Sequence, residues 1–258
     1  MRLLPRRLRH GEEATLVEHL GELRSRLVVS LVALAIGFTV AYVFHDNLIH
    51  WLNQPLPPAR RHPITFGVAE PFLTSVMVSM FAGFLLALPV ILWQVWSFFA
   101  PAMMESTQRV VGAFVLFATV LLVGGIAFGY WIALPAAVHF LTNYDSNLYN
   151  IQIRARDYYS FASLVLLAIG LVFELPIFVL ALVRIGILTT AKLRRNRRIG
   201  YVIVAVIAVA LPGVDPITTL AEMIPLMALF EGSIWMSVFF ERRWNRRHVL
   251  DVSPGEAG

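Results

Sequence analysis

Apolar and polar residues separate along this chain into long blocks. Four apolar blocks are each long enough for a helix that crosses a hydrocarbon core, which needs roughly 20 residues. Two more blocks follow, one short and one interrupted by polar residues. The six predicted segments are residues 27–44, 71–100, 110–134, 158–183, 199–211 and 217–240. The pattern predicts an all-α, polytopic membrane protein with six transmembrane helices, of which the fifth and sixth are short.

A short amphipathic helix is predicted over residues 15–27, directly before the first segment. Thr15 and Glu18 match a capping box, which marks the start of a helix. One face carries the leucines, which are Leu16, Leu20, Leu23 and Leu27. Glu22 lies on another side, one turn before Arg26. The pattern leaves two readings of Glu22 open: a solvated side chain paired with Arg26, or a carboxylate that receives an incoming guanidinium.

The basic residues predict the orientation in the membrane. Only four of the 21 Lys and Arg residues fall on one side of the predicted bundle: Arg60, Arg61, Arg154 and Arg156. The positive-inside rule therefore predicts that both termini are cytoplasmic. The net charge of +5 does not indicate a nucleic-acid partner, because the basic residues flank apolar segments. With 58% hydrophobic and 14% charged residues, the chain is predicted to be a multi-pass protein of the cell membrane.

A single membrane domain is predicted over residues 15–241. It is preceded by a cytoplasmic tail, 1–14, and followed by a basic, then flexible, cytoplasmic tail, 242–258. The outer connections are predicted at residues 45–70, 135–157 and 212–216. The first of these is rich in proline, so it is predicted to be extended or turn-like.

Acidic residues inside the apolar segments are candidates for function. Glu174 lies in the fourth segment, two residues before Pro176, which is predicted to bend the helix there. A carboxylate near the bilayer centre costs about 2.5–3.5 kcal/mol on insertion scales, so it usually faces the bundle interior and marks function. Glu231 lies at a similar depth in the sixth segment, and no Arg or Lys lies within an apolar segment to neutralise either acid. Glu222 is expected to reach the outer interface.

Other signals are weaker. Gly125 and Gly129 form a G-x-x-x-G pattern, which predicts a close helix contact on the third segment. Gln94 is predicted to pack as a polar residue or to form a hydrogen bond at the interface. The histidines lack metal-ligand spacing, cysteine is absent, and no nucleotide-binding, nucleophile or zinc-protease motif occurs. The sequence therefore predicts no metal, no cofactor and no enzymatic activity.

An ordered set of short motifs covers nearly the whole chain, from about Leu16 to Glu241. The motifs are HLGELRSRL at 19–27, QPL at 54–56, LWQVW at 92–96, FAPA at 99–102, FELP at 173–176, LPGVD at 211–215, IP at 224–225 and FE at 230–231. Each motif alone is weak, but their order and six-span context resemble the TatC family of twin-arginine translocase subunits.

The resemblance implies a receptor for folded export substrates that carry an Arg-Arg signal peptide. It also implies single-span TatA- and TatB-type partners, self-association in a receptor complex, and use of the proton-motive force without ATP. The residues implied in signal-peptide binding are Glu22, Arg24, Phe99, Pro101, Glu105 and Thr107. Those implied in intramembrane polar or partner contacts are Gln94, Glu174 and Glu231, and Pro55 and Asp215 match positions that shape the outer loops.

The sequence departs from the family pattern at one position. The family usually has a second arginine-binding glutamate in the loop after Phe-x-x-Pro, and the aligned residue here is Thr107, with Glu105 two residues earlier. In a helix, a shift of two residues turns a side chain by about 200°, so Glu105 could take over only in an irregular loop. Because of this departure, Glu22 is expected to be the main carboxylate that binds the arginine pair.

A proton-coupled secondary transporter is the alternative function. It would use Glu174 and Glu231 as its proton relay. The chain shows no internal repeat and no broken-helix substrate site of the kind typical of such transporters.

Overall fold

The computed structural model describes residues 16–99, 107–184, 186–212 and 216–252. This part of the chain is helical, and its one extended pairing is an isolated bridge between Ile64 and Arg154. The α-helices are α1 Leu16–Val43, α2 His45–Asn53, α3 Glu70–Phe99, α4 Thr107–Phe128, α5 Leu134–Asn143, α6 Ala155–Val172, α7 Leu175–Arg184, α8 Thr190–Arg195, α9 Arg197–Ala210 and α10 Pro216–Val252. The predicted all-α class is confirmed.

Five helical stretches are long and apolar enough to cross a membrane. They are Leu20–Val43, Glu70–Phe98, Gly112–Asn143, Ala155–Arg184 and Pro216–Phe239. The fifth predicted segment is α9, whose 14 residues reach about 21 Å at 1.5 Å per residue, less than a typical hydrocarbon core. The sixth is not short, because α10 continues through Pro225 without interruption.

Helix α1 joins the predicted amphipathic stretch and the first span in one element. It packs along α3, and the two backbones meet at Gly37 and Gly83. A Cβ atom on Gly83 would lie 2.6 Å from the backbone nitrogen of Phe38, so only glycine permits this crossing. The leucine face is exposed at Leu20, Leu23 and Leu27. Helix α1 therefore stands at the edge of the bundle with most of its apolar surface uncovered.

Two predicted outer loops are partly helical. The third span continues past Phe128 through a π-helical turn, Gly129–Ala133, into α5. The loop predicted over 135–157 was therefore wrong at its start, because Pro135 lies in the first turn of α5, where a missing N–H is tolerated. In the predicted loop 45–70, α2 fills the stretch before the first proline, Pro55, and the remainder up to α3 is irregular apart from a 3₁₀ turn at Pro58–Arg60.

Three clusters of buried apolar side chains form the core. The first joins α3, α4 and α7 around Trp96 and Leu122. The second packs α2 against α3, α5 and α6 around Leu52 and Leu134. The third joins α6, α9 and α10 around Ile169.

The helix connections lie at two ends of the bundle. Ile64 N–H donates to the Ile153 carbonyl at 2.9 Å, and Ala155 N–H donates to the Ile64 carbonyl at 2.8 Å. These bonds bring the connections 44–69 and 144–154 together at what we call the loop end. At the other end, the Thr190 hydroxyl donates to the Glu241 carboxylate, which ties α8 to α10. We call this the basic end, because α8 and the start of α9 carry five Lys and Arg residues, namely Lys192, Arg194, Arg195, Arg197 and Arg198.

Candidate functional site

Glu22 is half-buried near the basic end of α1 and uses only one of its two carboxylate oxygens. Arg26 donates from both Nε, at 3.0 Å, and Nη2 to the same atom, Oε1. No group in the described part of the chain donates to Oε2. The structure therefore contains the ion pair between Glu22 and Arg26, as the first of the two interpretations predicts. The pair nevertheless leaves Oε2 without a donor among the described residues, on a side chain that is 22% exposed, and a second guanidinium can use this acceptor.

The structure describes the other residues of the predicted peptide site only in part. Arg24 is exposed on α1. Phe99 is the last residue of α3 and Thr107 is the first described residue of α4, and the side chains of both lie outside the description. Pro101 and Glu105 fall outside the described residues altogether. The role of Glu105 relative to Thr107 thus stays a prediction.

Glu174 lies at an interruption in the fourth span. Helix α6 ends at Val172 and α7 begins at Leu175, so the acid occupies the turn between them. Pro176 lies in the first turn of α7, where its missing N–H costs nothing. The predicted bend around the acid is confirmed, as a break between two helices.

The Glu174 carboxyl is buried and has no partner in the described chain. The residue is 1% exposed, and neither carboxyl oxygen accepts or donates a hydrogen bond among the described residues. Its backbone is well bonded, since its carbonyl accepts from Ile177 at 3.0 Å and from Phe178 at 3.2 Å. Because a buried polar group without a partner costs free energy, the site is suited to a polar group supplied from elsewhere.

Close packing holds the helix just before this acid. A Cβ atom on Gly125 would lie 2.8 Å from the Phe173 Cβ and 3.1 Å from the Gly170 Cα. The G-x-x-x-G prediction is confirmed as a contact between α4 and α6. The residues just before Glu174 are therefore held by close packing against Gly125.

Glu231 differs from Glu174 because its carboxylate is paired. The Tyr201 hydroxyl donates to Oε1, and Arg197 Nη1 lies 3.6 Å from Oε2. The expectation that no Arg or Lys could neutralise this acid was wrong. Arg197 lies in the first turn of α9, outside the apolar block, and its long side chain reaches across to α10.

Glu222 and Gln94 are the remaining intramembrane candidates. Glu222 is fully buried, as is Thr218 one turn earlier. The expectation that Glu222 reaches the outer interface was therefore wrong, because this face of α10 turns into the bundle. Gln94 is half-buried on α3 and forms no side-chain hydrogen bond with the described residues.

The loop end holds an ion pair that the sequence did not reveal. Arg154 Nε lies 2.8 Å from Glu70 Oε1, and Arg154 Nη2 lies 3.3 Å from Oε2. Glu70 Oε2 also accepts the backbone N–H groups of Phe66 at 3.0 Å and Gly67 at 3.3 Å. Hydrogen bonding to Glu70 raises the pKa of Arg154 above its usual value. The partners lie 84 residues apart in the sequence, so no local pattern could have signalled the pair.

Three tyrosines hold the end of α2 against the bundle. Tyr130 donates its hydroxyl to the Trp51 carbonyl at 3.0 Å, Tyr158 to the Leu52 carbonyl, and Tyr159 to Asn53 Oδ1 at 2.8 Å. The last carbonyl groups of a helix have no partner within the helix. The hydroxyls of Tyr130 and Tyr158 donate hydrogen bonds to two such carbonyls of α2. Pro55 lies in the turn that follows. Asp215, the other predicted loop-shaping residue, falls outside the described residues.

Comparison with known proteins gives one consistent result. A family model described as Sec-independent protein translocase protein (TatC) matches residues 18–225. The TatC protein of Carboxydothermus hydrogenoformans is 34% identical over 88% of this chain and 94% of its own length. That of Desulforapulum autotrophicum is 35% identical over 88% and 85%. A crystal structure of the twin arginine translocase receptor TatC aligns with a TM-score of 0.74 and 32% identity over 85% of this chain and 99% of that one. The chain is thus a multi-pass membrane protein that belongs to the Sec-independent protein translocase TatC family.

Proposed function

We propose that this chain is the receptor component of a twin-arginine export system, and that Glu22 binds the arginine pair of the signal peptide. The observation that carries the proposal is that Arg26 occupies only Oε1 of Glu22, that no described group donates to Oε2, and that the side chain is 22% exposed. Arg24 and the loop near Phe99, Pro101, Glu105 and Thr107 complete the proposed site.

Capture at Glu22 is electrostatic. A guanidinium presents several N–H donors in one plane, and a hydrogen bond to a charged partner is worth about 1.5–3 kcal/mol. Because Glu22 is partly exposed, the incoming arginine loses only part of its hydration. Arg26 occupies Oε1 of the carboxylate and competes with the peptide for it, while Oε2 is left for the incoming arginine.

The basic end is proposed to face the cytoplasm, with both termini on that side of the cell membrane. Its Lys and Arg residues agree with the positive-inside rule. The single membrane domain over residues 15–241 would then bind the peptide at the basic end, on the cytoplasmic side. The apolar part of the signal would lie along the bundle toward Glu174.

Glu174 is proposed to receive a polar group from a TatA- or TatB-type helix, from the inserting signal, or from another copy in a self-associated receptor complex. Its buried carboxyl oxygens, with no partner in the described chain, support this role. Gln94 and Glu231 are proposed as secondary contacts. Glu174→Gln retains the shape and a hydrogen-bonding group, whereas Glu174→Leu removes both. Co-purification of the partners should survive the first change and fall with the second, and equal recovery with both variants would refute this role.

Photocrosslinking tests the receptor proposal. A photoreactive amino acid in place of Leu23, which is exposed beside Glu22 on α1, should crosslink a signal peptide that carries Arg-Arg and lose the crosslink when both arginines are replaced by Gln. Glu22→Ala and Glu22→Arg should abolish crosslinking from a neighbouring position on α1 in folded protein. Asp46→Ala, a change to an exposed acid at the loop end, is the matched control. Undiminished crosslinking in both Glu22 variants would refute the assignment.

The transporter alternative has less support. No hydrogen bond or ion pair among the described residues links Glu174 to Glu231, and Glu231 is already engaged by Tyr201 and Arg197. A folded reporter with an Arg-Arg signal, assayed for export beside uptake of small solutes, separates the two functions.

A further inference from the structure

The loop end carries an apolar tip in a segment that the sequence assigned to an aqueous loop. The tip consists of residues 65–69, just before α3. Phe66 is 74% exposed and Val68 is 104% exposed. Phe72 and Leu73, in the first turn of α3, are exposed as well. A contiguous exposed apolar patch of this kind usually marks a binding surface.

Glu70 accepts hydrogen bonds from backbone N–H groups of the tip, which would otherwise need water as a partner. A non-helical segment can enter the membrane boundary only if its polar backbone groups find partners within the protein. Here the N–H groups of Phe66 and Gly67 both donate to Glu70 Oε2, and the Gly67 carbonyl accepts the Glu70 N–H at 3.1 Å. The flanking residue Ile64 has both its N–H and its carbonyl bonded to the connection 144–154.

The charges beside the tip are also compensated. Arg154 holds Glu70 through two hydrogen bonds, and the Glu70 side chain is 5% exposed. The Arg154 guanidinium carbon lies 5.5 Å from the centroid of the Phe66 ring, so the ring covers the cation. The tip therefore presents apolar side chains beside a compensated ion pair, which also bonds the backbone N–H groups of Phe66 and Gly67.

We propose that Phe66 and Val68 insert into the membrane leaflet at the loop end, at the boundary between headgroups and acyl chains, and anchor this end of the bundle. Two observations favour lipid over a second copy of the chain. The exposed apolar residues continue along the chain at Phe72 and Leu73, in the first turn of a helix that is long and apolar enough to cross a membrane. Arg61 and His62 are exposed on the same loop and can bind lipid phosphates when the tip is inserted.

A single-cysteine experiment tests the insertion, and the chain is suitable because it contains no cysteine. Val68→Cys and Ala59→Cys are each labelled with an environment-sensitive fluorophore and placed in phosphatidylcholine nanodiscs holding one copy of the chain. Ala59 is the matched control, since it is exposed in the same loop beside Arg60 and Arg61. The label at 68 should emit at shorter wavelength, be quenched by lipids carrying a nitroxide just below the headgroup, and be severalfold less accessible to iodide than the label at 59.

Two results would overturn the proposal. One is equal access of iodide to both labels. The other is a label at 68 that is shielded from iodide yet not quenched by the nitroxide lipids, since that would mean cover by protein. Adding Arg154→Gln to Val68→Cys tests the base of the tip. The label should then move toward water, and an unchanged spectrum would show that the ion pair does not prepare the tip for insertion.

Discussion

Glu22 and Glu70 are both glutamates paired with an arginine, and they stand at opposite ends of the same membrane bundle. Glu70 has both oxygens occupied, by Arg154 and by two backbone N–H groups, and is almost fully buried. Glu22 has one oxygen occupied and is partly exposed. A carboxylate whose acceptors are all used holds the fold together, whereas one with an unused, accessible acceptor can bind something new. The pairing itself does not distinguish the two roles.

Reversing the charge at the basic end should have the greatest effect on binding. Glu22→Arg removes the acceptor and adds repulsion, so affinity for an Arg-Arg peptide should fall by about 100-fold, or about 3 kcal/mol. Thermal stability should change little, because a partly exposed pair contributes about 0–1 kcal/mol. Titration of a fluorescent peptide, with a melting curve of the same sample, measures both. A large loss of stability would place Glu22 with Glu70 as a structural residue.

Removing the acid at the loop end should do the opposite. Glu70→Ala leaves Arg154 and two backbone N–H groups without their acceptor, and should cost about 2–3 kcal/mol of unfolding free energy. The estimate is below that for a fully buried pair, because Arg154 is 37% exposed. Peptide affinity should stay within about twofold of the wild type, a difference of roughly 0.4 kcal/mol. Denaturant unfolding in detergent gives the first quantity, and weakened peptide binding in folded protein would contradict the separation of the two ends.

A change at the α1–α3 crossing should affect both quantities together. In Gly83→Ala the new methyl group would meet the backbone of Phe38, which cannot move aside as a side chain could. We expect a loss of about 1–3 kcal/mol in stability and weaker peptide binding, because α1 carries Glu22. Gly124→Ala is the control, since a Cβ atom there meets nothing within 4 Å. Equal behaviour of the two variants in both assays would contradict the close crossing.

Loosening the pair at Glu22 should have the smallest effect. Arg26→Gln removes the competing guanidinium, and an i,i+4 pair is worth about 0.3–0.5 kcal/mol, so peptide affinity should rise by about twofold. The gain should shrink at high salt, because screening weakens the pair in the wild type as well. Affinity measured at two salt concentrations checks this, and a loss of affinity would mean that Arg26 itself supports the peptide.

The sequence predicted those features that depend on composition along a single element. The bounds of α3 follow from the length of one apolar block, and the break at Glu174 follows from Pro176. Ion pairs between distant segments could not be predicted from such local patterns. Arg197 contacts Glu231 from another helix, and Arg154 contacts Glu70 from 84 positions away in the sequence. The leucines of α1 show a second limit. Helical spacing identifies an apolar face but does not tell whether protein or lipid covers it.

The widened turn at Gly129–Ala133 determines which way two halves of one span face. Each residue in a helix adds a rotation of about 100° about the helix axis. One extra residue in a turn therefore changes the direction in which all the following side chains point by about 100°. The inward residues of α4, such as Ala118 and Leu122, and those of α5, such as Ala137 and Thr142, are all buried. Deleting one residue from this turn would rotate α5 against its neighbours and expose that second set. The third span thus consists of two helices whose buried faces are set independently, and the one extra residue in the turn between them brings both faces toward the bundle.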